Sequence, residues 1–129
     1  MGTYDEVWDN VRGSLVDLAR EAEKRKIAIC IENVWNKFLI SPREAREFVD
    51  EVGSDWVGIY LDTANMMEYG FPEHWIRALG PRIKRVHLKD YRRIARQFVN
   101  LLDGFHQDAF DERVIALLVT FHFPVQQAD

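Results

Sequence analysis

The sequence predicts an α/β fold built on a parallel sheet, and three observations carry that expectation. Apolar runs of strand length alternate with helix-period segments from Thr3 to about Asp90. The runs "IAICIENV" and "WVGIYLDTAN" are apolar without strict alternation, as strands covered on both faces are. Each strand run closes on a polar residue ahead of a loop: Glu32, Asp62 and His87.

The first element spans Thr3 to Lys26. Val7, Trp8, Val11, Leu15, Leu18, Ala19 and Ala22 recur at three- and four-residue steps and form one apolar stripe of a helix. Thr3 with Glu6 fits a capping box, and the basic "EKRK" suits a helix C-terminus. Ile27–Val34 then reads as a strand. In "SPREAREFVDEVG", Ser41 caps, Pro42 takes the first helical position and Gly53 ends the helix. "WVGIYLDTAN" is the second strand. "FPEHWIRALG" is a short helix opened near Pro72 and stopped at Gly80, and "RIKRVHLKD" is the third strand. Crossovers between such strands are right-handed, so all three C-terminal ends point the same way. Beyond Asp103, Asp111 to Leu118 predicts a helix and Val119 to Phe123 a short apolar run ending in His122, Phe123 and Pro124. No linker or internal repeat divides the chain, and residues 1–129 are read as one domain.

Bulk properties narrow the function. The chain has 129 residues, 47% apolar and 29% charged, an ordinary globular composition. A net charge of −4 argues against a nucleic acid or an anionic membrane as partner. The N-terminal "MGTYDEVWDN" is unlike a secretory signal, and no stretch approaches the ~18 apolar residues of a membrane span, so a cytoplasmic setting is expected. Cys30 is the single cysteine and sits inside "IAICI", which points to a buried inert thiol rather than a nucleophile.

Two carboxylates and an imidazole at neighbouring strand ends match the ligand chemistry of a divalent cation such as Mn²⁺. Such an ion polarises the carbonyl and adjacent hydroxyl of a sugar, and a nearby carboxylate can then take the proton from the carbon between them. The alternative is that Glu32 and Asp62 cap the helices that follow and His87 is a satisfied strand-end histidine. His74 is read as exposed or capping, and Trp56 and Trp75 as packing residues. Lys84, Arg85, Lys89, Arg92, Arg93 and Arg96 cluster around the third strand. They are either a solvated surface or the holder of a sugar phosphate.

The motifs "IENVWNKFL", "LDTAN", "HWIRALG" and "VHLKD" resemble the sugar phosphate isomerase/epimerase family, xylose isomerase-like (β/α)₈ barrels of the ketose 3-epimerase and hexulose-phosphate isomerase type. The resemblance covers about Tyr4 to Gly104 and leaves 105–129 as a divergent tail. It implies the C-terminal half of a barrel that typically takes ~250 residues. It also implies Glu32 as both metal ligand and acid/base group, with Asp62 and His87 as the next two ligands. Mn²⁺ is the first choice of metal, with Mg²⁺, Co²⁺ and Zn²⁺ as alternatives. Asn65 falls where some members place a substrate-binding histidine, Arg93 where a substrate-contacting arginine stands, and Trp35 and Asn36 in the loop after the first ligand. Lys89 is expected at the substrate as well.

The family's fourth ligand, a glutamate ending strand eight, has no counterpart between His106 and Asp129. Glu112 falls on the predicted helix, and His122 is a candidate substitute. This raises the hypothesis of a truncated or frame-altered chain, incomplete as an enzyme. A half barrel exposes sheet edges and inner strand faces, so a homo-oligomer or a complementary N-terminal half barrel is the expected partner. The function expected is a metal-dependent isomerase or epimerase of a sugar or sugar phosphate. The alternatives are a non-catalytic barrel fragment serving only assembly or residual metal or sugar binding, and the DNA-repair endonuclease branch of the same barrel.

Overall fold

The computed structural model describes residues 2–68, 70–89 and 114–117. Helix α1 (Tyr4–Arg25) is opened by the Thr3–Glu6 capping box and closed at Lys26, whose φ of 56° is left-handed. Strand β1 (Ala28–Glu32) follows, then helix α2 (Pro42–Val52), capped by Ser41 with Glu44 and ended by Gly53 at φ 67°. Strand β2 (Val57–Asp62) leads through a 3₁₀ turn, Asn65–Glu68, into helix α3 (Pro72–Leu79). Gly80, at φ 49°, turns the chain into strand β3 (Ile83–His87). Strands β1, β2 and β3 end on Glu32, Asp62 and His87, as the sequence predicts.

The tail departs from its reading. Val114–Leu117, expected inside a helix from Asp111 to Leu118, is instead strand β4, paired parallel to β1 with Ile115 opposite Ile29. A short apolar run cannot be assigned by periodicity alone. Its two leading β-branched residues favour a strand, and β1 offers it an open edge. Among the described residues the sheet therefore runs β3-β2-β1-β4, all parallel, with β4 rather than β1 at the edge on that side. The run Val119–Phe123 and residues Arg92, Arg93, Arg96, His106, Glu112 and His122 lie outside the described residues.

Alternation gives the sheet two faces. Ile29, Ile31, Val57, Ile59 and Leu61 point to the helices, where they meet Leu15, Ala19, Phe48, Val49, Val52 and Leu79 in one apolar core. Leu18, placed by the sequence in the α1 stripe, is 46% exposed, because it flanks that stripe on the solvent side. The two tryptophans read as packing residues do pack, Trp75 fully buried and Trp56 against the core. His74 is exposed, its ring edge-on to Phe71. Cys30 is buried on the other face, and burial pushes its thiol up to about 11.

Between β2 and β3 the ladder slips by one residue. Ile59 pairs with Ile83, but Tyr60 pairs with Arg85, leaving Lys84 as the extra residue of a bulge. Gly58 makes this approach feasible, since a Cβ there would lie 2.6 Å from the Arg82 carbonyl and collide with the Lys84 stem. Without the bulge Asp62 would face Val86. With it, Asp62 faces His87.

Candidate metal centre

The register puts Glu32, Asp62 and His87 on the face opposite the helices, at the C-terminal ends of adjacent strands. Their ligand atoms lie within 4.8 Å of one another. His87 Nδ1 stands 3.1 Å from Asp62 Oδ2 and 3.6 Å from Glu32 Oε1. The Asp62 side chain is fully buried, and that of Glu32 is 12% exposed.

One oxygen of Asp62 takes the capping role that the sequence offers as the alternative, and the other does not. Its Oδ1 caps the turn that follows, accepting hydrogen bonds from the backbone N–H of Ala64 and Asn65, each at 2.9 Å. Its Oδ2 takes no hydrogen bond of regular geometry, yet is buried and faces His87 Nδ1 at 3.1 Å and Lys89 Nζ at 2.7 Å. A buried carboxylate oxygen held only by cationic or ligand-type nitrogens, beside a second carboxylate, is an arrangement a divalent cation satisfies. Two carboxylates and one imidazole are a donor set that divalent cations take.

Electrostatics separates the carboxylates. Burial holds the Glu32 carboxyl above the usual range, the charge of Asp62 adds to the rise, and the hydrogen bond and charge of His87 and the charge of Lys89 oppose it. A carboxyl held above its ordinary value is a stronger proton acceptor than an unperturbed one. The His87 ring is stacked on Tyr60, with centroids 5.7 Å apart, and the Arg85 guanidinium lies 5.5 Å from the Tyr60 ring centre.

Two supporting residues escaped the sequence reading. Asn33 reaches across to β2 and imitates a strand backbone: its Oδ1 accepts from Asp62 N–H at 2.7 Å, and its Nδ2 donates to the Asp62 carbonyl at 3.0 Å. Thr63 does the same for the segment after β3. Its N–H donates to the His87 carbonyl, and its hydroxyl accepts from Lys89 N–H, both at 3.0 Å. The one available signal was their position, each directly after a strand-end carboxylate.

Of the expected substrate contacts, Asn65 and Lys89 bond directly to Asp62. Asn65 donates from Nδ2 to the Asn33 carbonyl at 2.8 Å, and Trp35 donates from Nε1 to the Asn65 carbonyl at 3.0 Å while its ring stays 43% exposed. Asn36 caps its own loop, its Oδ1 accepting from Phe38 N–H at 3.0 Å. Lys89 sits on Asp62, and Arg93 lies outside the described residues.

Parallel βα units carrying polar residues at their C-terminal strand ends are the working face of a (β/α)₈ barrel. The chain belongs to the xylose isomerase-like TIM barrel family, which it matches over residues 2–117. Over 71 residues it is 39% identical to the 2-epi-5-epi-valiolone 7-phosphate 2-epimerase of an Actinoplanes species, a stretch covering 54% of this chain and 24% of that protein. The chain thus spans about a quarter of the length of the curated relative it matches. No solved structure matches it. Among the described residues no helix is long and apolar enough to cross a membrane.

Proposed function

We propose that this chain carries the metal-binding strand ends of a divalent-metal-dependent isomerase or epimerase acting on a sugar or sugar phosphate. The observation that carries the reading is the convergence of Glu32, Asp62 and His87, from three separate strands, within 4.8 Å. Family membership and the similarity to a 2-epi-5-epi-valiolone 7-phosphate 2-epimerase support the reaction class.

Glu32, Asp62 and His87 would hold the ion, with Mn²⁺ favoured by the mixed carboxylate and imidazole set. The bound ion supplies electrophilic polarisation of a carbonyl and its neighbouring hydroxyl. Glu32 would accept the proton from the carbon between them, because its carboxylate is the more exposed of the two and neither of its oxygens is committed to a backbone cap as Asp62 Oδ1 is. Asp62 cannot share that task freely, since Oδ1 is committed to two backbone N–H groups. The Tyr60 stack keeps the His87 ring in orientation, and the exposed Trp35 indole offers an apolar wall to a sugar ring. Lys89 and Arg93 would supply positive charge to a phosphate substituent.

Two measurements test this. Calorimetric titration with Mn²⁺ should show saturable binding by the wild type and at least a tenfold loss in Glu32→Gln. In heavy water, the Mn²⁺-loaded chain mixed with a ketose or its phosphate ester should wash deuterium into the carbon beside the carbonyl, read by NMR, and Glu32→Gln should not. Absence of Mn²⁺ binding by the wild type would refute the metal reading. Binding without exchange on any ketose would refute the catalytic part.

A further inference from the structure

We infer that Lys89 is a built-in counter-ion of this centre that competes with the divalent ion for Asp62 Oδ2, so that the lysine sets how tightly metal is held. The inference rests on the metal reading above and concerns its control. Asp62 has one oxygen to offer, because Oδ1 is already taken by the Ala64 and Asn65 amides. That remaining oxygen carries the Lys89 ammonium at 2.7 Å. A dication on the same oxygen would meet a positive charge at contact distance in a buried setting, where like charges repel far more strongly than in water. Both cannot stay.

The lysine is placed there by the backbone. Thr63 brackets the segment, its hydroxyl accepting from Lys89 N–H at 3.0 Å and donating to the Lys89 carbonyl at 3.0 Å, while its N–H holds the His87 carbonyl at 3.0 Å. The ammonium is therefore tethered at high effective concentration beside the carboxylate. It is also displaceable. Its side chain is 26% exposed, and a flexible stem with a compact point charge can swing outward without breaking the Thr63 bracket. An exchangeable lysine keeps the buried carboxylate paired before metal arrives, and afterwards leaves an ammonium at the mouth of the site.

The test is Mn²⁺ titration by calorimetry on the wild type, Lys89→Met, Lys89→Gln and Lys89→Arg, with Glu32→Gln as control. Both neutral variants should bind Mn²⁺ about tenfold tighter than the wild type, a difference of about 1.4 kcal/mol. Lys89→Arg, which keeps the charge, should bind no tighter. Melting curves supply a second readout: a neutral variant should melt lower without metal and show a larger rise on adding Mn²⁺. If Lys89→Met does not fold, Lys89→Gln carries the comparison alone. Binding by the wild type, lost in Glu32→Gln but unchanged or weakened in the neutral variants, would overturn the competition and leave the metal centre standing. No binding by any variant would overturn both.

Discussion

Asp62 and Asn33 act as one unit at the end of β2. The carboxylate is held by its own turn, and the strand that presents it is held by an amide from the neighbouring strand. Replacing Asn33 by Ala removes both bonds and leaves the partly buried N–H and carbonyl of Asp62 without them. The expected cost is about 1–3 kcal/mol in urea denaturation. Because the same bonds fix the height of Asp62 against Glu32, Mn²⁺ affinity should also fall, by an amount that a distant core truncation of equal cost does not reproduce. Calorimetry on Asn33→Ala beside Val52→Ala makes that comparison.

At the scale of elements, the bulge between β2 and β3 decides which residue faces the site. Gly58→Ala would push a methyl group against the Arg82 carbonyl, which as backbone has little room to yield. We expect a loss of about 1–3 kcal/mol and weakened Mn²⁺ binding, since His87 reaches Asp62 only through that slip. The bulge also marks the limit of what the sequence discloses. Helix ends were legible because capping is local: Thr3 with Glu6, and Ser41 with Glu44, lie three residues apart. The three candidate ligands were legible because each closes an apolar run. The bulge, Asn33 and Thr63 were not, because their partners lie on other strands and depend on register. The strand Val114–Leu117 was misread for the same reason: what makes it a strand is the open side of β1, which no window around residue 115 contains.

Among the described residues, an ion pair ties helix α2 to the turn that leads into β3. Asp50 of α2 receives two bonds from the Arg82 guanidinium, 2.5 and 2.8 Å, just ahead of β3. The hydrogen bond from Arg82 holds the Asp50 carboxyl below its ordinary value of 3.8. A lowered carboxyl stabilises the fold fully above that ordinary value, and its contribution fades as the pH falls through the lowered one. The pair is half exposed, so the effect is modest and screened by salt. Thermal melts should therefore place Asp50→Asn slightly below the wild type at neutral pH, with the gap closing under acid conditions below the ordinary carboxylate range. A gap that persists unchanged in acid would show that the pair contributes through shape alone.

The position of β4 bears on how the chain reaches this arrangement. β1 meets β2 after one short helical crossover, and β2 meets β3 after another, so those ladders close small loops. Ile29 and Ile115 are about three times farther apart along the chain than Ile29 and Val57. Closing the longer loop costs about 1 kcal/mol more in chain entropy. Pairings of such separation form late in folding. The β1–β2–β3 block, with the three strand ends already side by side, would then assemble first and wait with the β1 edge uncovered. The last strand to arrive is the one that closes it, and the time before its arrival is when a nascent chain is most open to pairing with another.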